Sequence, residues 1–333
     1  THITTLAQQL AHVHQHADHC PPDAEFGSAS SVINPVKDNF SQIENCLHTT
    51  SQITALQPLK EWANDRFETL KPLIKQRKAK GFIRECHGDL HLGNITLFNQ
   101  NIVIFDCIEF NASLRWIDTI SDLAFLVMDL EKRGRTHYAN QLTNRYIELT
   151  GDYQGAALLR FYKAYRAMVR AKIAMLSIDG NTHATDAPSL NPFLEQYRQY
   201  TALAAHYQSR PHRFMLLMHG YSGSGKSYIS SQLVEQLGAL RVRTDVERKR
   251  LFHYAENESS QSPIDAGIYT HEATKKTYQK VASIASTLLS GEHAVIIDAA
   301  HLKRWQRLTL KEVADKLAVP LMIITCQADK MTL

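Results

Sequence analysis

Residues 220–227 read Gly-Tyr-Ser-Gly-Ser-Gly-Lys-Ser, a complete G-x-x-x-x-G-K-S pattern, and no other feature narrows the possible folds as far. The apolar run Phe214 to Met218 precedes it, and apolar residues at Ile229, Leu233 and Leu237 follow at helical spacing. The pattern therefore sits between a predicted strand and a predicted helix, the context a phosphate loop requires. Its glycines let the backbone curl until several N–H groups and a helix N-terminus face one anion. In that frame Gly220, Ser222, Gly223, Ser224, Gly225 and Lys226 hold the phosphates of ATP, and the Ser227 hydroxyl completes a Mg²⁺ shell. A chance glycine-rich turn is the alternative, and the flanking strand and helix argue against it.

Strands are expected near 239–244, 294–298 and 321–325, separated by helical stretches, which is the alternation of a parallel sheet. Val295-Ile296-Ile297-Asp298 is a buried strand ending in a carboxylate, so Asp298 is a second candidate Mg²⁺ ligand. Thr244-Asp245-Val246-Glu247-Arg248 falls at the end of another strand, where parallel sheets present ligand-binding side chains. Asp245 reads either as a group facing the acceptor or as a helix N-cap. Arg248, Arg304 and Arg307 read either as phosphate clamps or as solvated helix charges.

A second signature lies upstream, at His87-Gly88-Asp89-Leu90-His91-Leu92-Gly93-Asn94, followed by a predicted strand from Asn101 to Phe105 that ends in Asp106. An aspartate, an asparagine five positions later and an aspartate after a strand is the spacing that places a base and two metal ligands in kinase-type sites. A carboxylate can accept the proton of an acceptor hydroxyl, while an amide oxygen and a second carboxylate are hard ligands for Mg²⁺. Asp89 is accordingly the candidate catalytic base, and Asn94 and Asp106 are candidate metal ligands.

His87 to Asn94 with Asp106 resembles the catalytic and metal-binding segments of aminoglycoside phosphotransferases and related small-molecule kinases. The order of both halves is similar to the bacterial family called bifunctional aminoglycoside phosphotransferase/ATP-binding proteins. The resemblance implies a mainly α, kinase-like C-lobe followed by an α/β P-loop NTPase domain with a parallel sheet. It also implies that Asp122 braces the catalytic loop. Asp245 in Thr-Asp-x-x-Arg is similar to the aspartate of small-molecule kinases and zeta-toxin-like phosphotransferases that approaches the acceptor hydroxyl. Here Asp106-Cys107-Ile108 replaces the Asp-Phe-Gly of the kinase pattern, so the glycine is absent. Residues 1–86 supply almost no strand pattern beyond a helix with apolar Leu6, Leu10, Val13 and Ala17, so the reading expects the β-rich N-lobe to lie outside this sequence. The lid and last strand of a nucleoside-kinase-like domain are likewise expected beyond residue 333.

Length and composition accommodate two domains, expected at 1–208 and 209–333 with a linker at Gln208 to His212. The stretch from Asp179 to Pro192 reads as a loop joining helices. A net charge of +4 suits anionic nucleotides, yet no basic run resembles a nucleic-acid footprint. Five scattered cysteines without a CxxC pair and no long apolar span point to the cytoplasm rather than to a secreted or membrane protein. His12, His16 and His19 would share a helix face beside Cys20, and His87, His91 and Cys86 also lie close in sequence, but packing and loop bracing account for both better than zinc. Lys163, Arg166 and Arg170 share another helix face, either as an anion-binding stripe or as a solvated one. The expected activity is transfer of the ATP γ-phosphoryl group to a hydroxyl of a small-molecule acceptor, at two nucleotide-binding modules. The alternative is a nucleotide-gated regulatory ATPase that uses its kinase lobe as a binding module.

Overall fold

A computed structural model of the chain describes residues 2–21, 23–47, 50–180, 187–254 and 267–328. Its first part is mainly helical. α1 (His2–His16), α2 (Ala29–Cys46) and α3 (Thr50–Ala79) lead to the short strand β1 (Ile83–Glu85). α1 buries Leu6, Ala7, Leu10 and Ala11, but Val13 is 51% exposed because the buried stripe turns onto His14 instead. α2 opens on Ser28, whose hydroxyl accepts the Ser31 N–H at 3.1 Å and so satisfies one of the donors orphaned at a helix start. β2 (Ile95–Phe98) and β3 (Asn101–Ile104) pair antiparallel, with Ile95 opposite Ile104, across Asn99 and Gln100, whose positive φ values of 48° and 64° match a tight hairpin turn.

α4 (Ala112–Arg115) precedes β4 (Trp116–Asp118), which pairs antiparallel with β1. α5 (Thr119–Lys132) follows, and each of its residues from Thr119 to Leu130 is buried, as expected of a helix that is apolar on nearly every side. Asp118 starts it by accepting the Ile120 N–H at 2.9 Å, and the same carboxylate takes a two-point bond from buried Arg77 at 2.7 and 2.9 Å. α6 (Thr136–Thr150), α7 (Leu159–Gly180) and α8 (Ala187–His206) complete the helices before the second sheet. α8 already includes 187–192, so the end of the expected loop at Asp179 to Pro192 is helical, while 181–186 lie outside the described residues.

The second part alternates strand and helix: β5 (Met215–His219), α9 (Lys226–Leu237), β6 (Leu240–Arg243), α10 (Thr244–Leu251), α11 (His271–Ser290), β7 (Val295–Asp298), α12 (Arg304–Lys316) and β8 (Leu321–Thr325). The strands form one parallel sheet in the order β6-β7-β5-β8. β7 is buried at every residue, and Leu216, Met218 and Ile296 pack with Val234 of α9, which explains the continuous apolar runs of these strands.

By packing the chain divides into two compact units, 1–142 with 158–210, and 143–157 with 211–333. Residues 143–157 supply polar partners to the rest of the second unit. Asn144 Oδ1 accepts the Arg241 N–H at 2.7 Å, and the buried Glu148 carboxylate lies 2.7 Å from Arg145 and 3.5 Å from both Arg241 and Arg243. Tyr153 donates its hydroxyl to buried Glu247 at 2.7 Å, and Glu247 also pairs with Arg250.

Candidate functional site

In the helical unit the segment from His87 to Asn94 lies between β1 and β2 and is held from several sides. Asp122 of α5, closed to solvent, accepts the N–H of Gly88 at 2.9 Å and of His87 at 3.2 Å. Asp129, seven residues on and hence on the same helix face, accepts the Leu92 N–H at 3.0 Å. Buried Arg166 of α7 donates to Gly88 O at 3.0 Å and to Ser121. Gly88 has φ +83°, and a Cβ there would stand 2.6 Å from the Leu114 carbonyl oxygen, so no other residue fits the turn. His87 Nδ1 accepts the Asp89 N–H at 3.3 Å, which leaves its Nε2–H to donate to Phe105 O at 2.8 Å.

Asp89 is partly buried, and its carboxyl lies below the ordinary range because His91 bonds to it and outweighs burial, with help from the charges of Arg166 and Arg170. His91 is oriented by the Gly93 N–H, which donates to its Nδ1 at 3.0 Å and leaves Nε2–H facing Asp89 Oδ2 at 3.4 Å. Asn94 is buried and turns its Nδ2 to Asp89, 3.0 Å from the carbonyl oxygen, so Oδ1 is the side left to act as a ligand. The Phe105 N–H donates to Asn94 O at 3.0 Å, so Asp106 follows directly on a residue tied to the Asn94 backbone. Asp106 is exposed with φ +62°, a conformation aspartate tolerates better than most residues. Asp89 and Asp106 line one cavity of about 900 Å³ with residues of α2 and α7. That size suits a small molecule.

In the sheet unit the loop after β5 has the expected form. Gly220 has φ +145°, and a Cβ would meet Cys326 O at 2.4 Å. Ser224 Oγ is buried without a hydrogen-bond partner among the described residues, and Lys226 folds back to donate to Tyr221 O at 2.5 Å. Ser222, Gly223, Gly225, Lys226, Ser227, Thr244, Asp245, Arg248, Tyr269 and Asp298 line one cavity of about 590 Å³. The Ser227 hydroxyl and Asp298 carboxylate are both hard oxygen donors, the set Mg²⁺ takes, so the residues present fit the ion and the nucleotide it accompanies. Asp298 is 5% exposed, and its Oδ2 accepts from Ser230 Oγ at 3.1 Å. Arg241 stands 3.9 Å from Asp298 Oδ2 and donates to Ser230, Ser231 and the Ser227 carbonyl.

Asp245 lies in the first turn of α10 and not at its N-cap, which is Arg243, and the two side chains pair at 2.8 Å. Arg248 lines the cavity, stacked over Tyr269, and donates to Ile268 O and Thr274 Oγ1. Arg304 does not join this group: it is the exposed first residue of α12 and does not line the cavity. Arg307 caps the turn before α12 by donating to His301 O and Leu302 O.

Other groupings expected from spacing dissolve in three dimensions. The stripe on α7 is not an anion site, because Lys163 pairs with Glu131 at 2.9 Å, Arg166 braces the loop at Gly88, and Arg170 lies over the Tyr200 ring. Among the described residues the group with metal-ligand spacing is His14, Cys86 and Asp122, not the His12 or His91 sets. Its Asp122 oxygens are already bonded to His14, His87 and Gly88, and burial pushes the Cys86 thiol well up, toward its neutral form. Spacing alone missed Asp129 and Ser230, although the seven-residue interval from Asp122 to Asp129 on an apolar helix is a readable signal. Arg241 left no local signal.

A glycine-rich cradle at the end of a parallel sheet defines a P-loop domain, and it follows a helical unit with its own braced loop at Asp89. Residues 1–159 match the model of the phosphotransferase enzyme family, and residues 215–333 match that of the AAA domain, so the chain carries the first domain followed by the second. It is 28% identical over 296 residues to the uncharacterized protein Rv2004c of Mycobacterium tuberculosis and to the uncharacterized protein Mb2027c of Mycobacterium bovis. That match covers 89% of this chain and 58% of each relative, so the chain spans a little over half the length of the curated relatives it matches. No solved structure matches. No described helix is long and apolar enough to cross a membrane.

Proposed function

We propose that the chain holds two ATP-dependent phosphotransferase modules, each moving the γ-phosphoryl group of Mg-ATP to a hydroxyl of a small molecule, in the cytoplasm. In the helical module Asp89 accepts the proton of the acceptor hydroxyl as its oxygen bonds to the γ-phosphorus and the bond to the β-phosphate oxygen breaks, releasing ADP. Asp89 is fit for this because its depressed carboxyl is ionised at neutral pH and its loop cannot swing away from Asp122 and Arg166. Asn94 and Asp106 would hold Mg²⁺ there. In the sheet module the phosphate loop and Lys226 grip the triphosphate, Ser227 and Asp298 would hold Mg²⁺, Arg248 faces the phosphates and Asp245 faces the acceptor. Bound Mg²⁺ supplies charge neutralisation on the phosphate oxygens. The remaining contribution of both modules is positioning.

The observation that carries this reading is Asp89 pinned beside Asn94 at the wall of a cavity large enough for an acceptor. The test is incubation of the full-length protein with γ-labelled ATP and a metabolite extract, comparing the unaltered protein with its Asp89→Asn and Lys226→Ala variants. Labelled product and acceptor-dependent ADP release, reduced about 10² to 10⁴-fold by Asp89→Asn at the helical module, support it. Hydrolysis indifferent to every acceptor would instead favour a nucleotide-gated ATPase.

A further inference from the structure

Glu148 of α6 is 1% exposed and stands among three arginines, with Oε1 2.7 Å from Arg145 and 3.5 Å from Arg243, and Oε2 3.5 Å from Arg241. Two of those arginines reach onward to the proposed working oxygens of the sheet module. The second terminal nitrogen of Arg241 donates to Ser227 O at 3.3 Å and to Ser230 Oγ at 3.1 Å, and it lies 3.9 Å from Asp298 Oδ2. Arg243 turns its second terminal nitrogen to Asp245, 2.8 Å away. One buried carboxylate thus backs the metal side and the acceptor side together. Asn144, one turn before Glu148 and on the same face of α6, fixes the strand that carries both arginines by accepting the Arg241 backbone N–H at 2.7 Å.

At 3.9 Å the Arg241 guanidinium is beyond hydrogen-bond reach of Asp298, and any movement toward that oxygen would set a cation where Mg²⁺ is expected. Glu148 attracts Arg241 through its other nitrogen and so opposes that movement. Buried ion clusters often add no more stability than apolar residues of the same volume, so a cluster built against a ligand site calls for another use. We infer that Glu148 is a positioning residue of the phosphate-loop module: it keeps Arg241 from closing onto Asp298, leaving that carboxylate open to Mg²⁺, and it anchors the Arg243 arm that orients Asp245. This rests on the reading of Ser227 and Asp298 as metal ligands and adds the group that governs their availability. Glu148 lies within the stretch that matches the phosphotransferase family and outside residues 215–333, which match the AAA domain, so the sheet site draws on a group from beyond its own family match.

The test is titration of Mg²⁺ into the full-length protein at fixed ATP, read by thermal shift and counting only the binding that Lys226→Ala abolishes. A crystal structure of the nucleotide-free Glu148→Gln variant accompanies it. Gln keeps the volume of the side chain and removes its charge. Glu148→Gln should raise the Mg²⁺ concentration for half-maximal ATP binding by about tenfold. Metal-free ATP binding should be no weaker, because the added positive charge does not oppose the phosphates. A merely structural role would weaken both alike. Adding Arg241→Met to Glu148→Gln removes the released guanidinium and should recover much of the lost Mg²⁺ affinity. In the crystal of Glu148→Gln, Arg241 should stand within hydrogen-bond distance of Asp298. If that variant does not melt cooperatively, Glu148→Asp, which draws the charge back by one methylene, should still raise the Mg²⁺ requirement severalfold. An unchanged Mg²⁺ requirement, equal loss with and without metal, or no recovery in the double variant would each overturn the inference. ATP binding that ignores Lys226→Ala would instead remove the phosphate-loop reading. The crystal then decides alone: Arg241 closed onto Asp298 upholds the role of Glu148, and an unmoved Arg241 ends it.

Discussion

Asp122 accepts the backbone N–H of Gly88 at 2.9 Å from a position with no solvent contact, so the conformation of the Asp89 loop is tied to the core of the helical unit. Replacing Asp122 by Ala leaves the Gly88 and His87 N–H groups and the buried His14 ring without their shared partner. The expected loss is about 3–5 kcal/mol in urea unfolding of that unit. Burial raises the Asp122 pKa, but the His14 bond and the Arg166 charge outweigh it and the folded value lies below the ordinary 3.8. A depressed carboxylate contributes stability that is present at neutral pH and lost as pH falls through its folded value. The wild-type chain should therefore lose more stability in strong acid than the Asp122→Asn variant does.

Lys226→Ala removes the charge expected at the β- and γ-phosphates while touching no core residue. ATP at about 100 times its dissociation constant should stabilise the wild-type sheet unit by about 2.7 kcal/mol, and a thermal shift assay should show that gain vanish in the variant. An unchanged shift would place the nucleotide elsewhere.

Ser230 Oγ orients Asp298 Oδ2 at 3.1 Å, one bond behind the proposed metal ligand. Partners of this kind typically govern metal affinity by about 10 to 100-fold. Ser230→Ala should raise the Mg²⁺ concentration needed for half-maximal ATP binding by about tenfold and leave metal-free ATP binding alone, as read by titration at fixed nucleotide.

His301 is fully buried with φ +49°, donates Nδ1–H to Met218 O at 2.6 Å and leaves Nε2 without a partner among the described residues. Burial pushes its pKa down to about 4 from 6.5. The unfolded chain takes up that proton first, so stability is full above pH 6.5 and is lost as pH falls toward the folded value. The loss approaches roughly 3 kcal/mol by the time the folded value is reached. Urea unfolding of His301→Asn, a residue that tolerates positive φ, should show a flatter pH profile between 6.5 and 4.

Local pattern made much of this legible. The phosphate loop lies between β5 and α9 as its flanks predict, and Val295 to Asp298 forms the buried strand its apolar run implies. Asp89 and Asn94 meet because they stand five positions apart on one braced loop. What stayed hidden depends on partners far apart in sequence. His14 reaches Asp122 across 108 positions and Asn144 reaches Arg241 across 97, distances over which no periodicity carries information. The exposure of Val13 follows from that same pairing, since His14 takes the buried side of α1.

The placement of residues 143–157 with a sheet that begins after residue 211 means that the two units cannot be separated by a single cut. A gene severed at the linker would hand the second piece Arg241 and Arg243 without the carboxylate of Glu148 and Glu247 without the hydroxyl of Tyr153. These modules are interleaved rather than strung in tandem, so exchanging either one by recombination would require two crossover points.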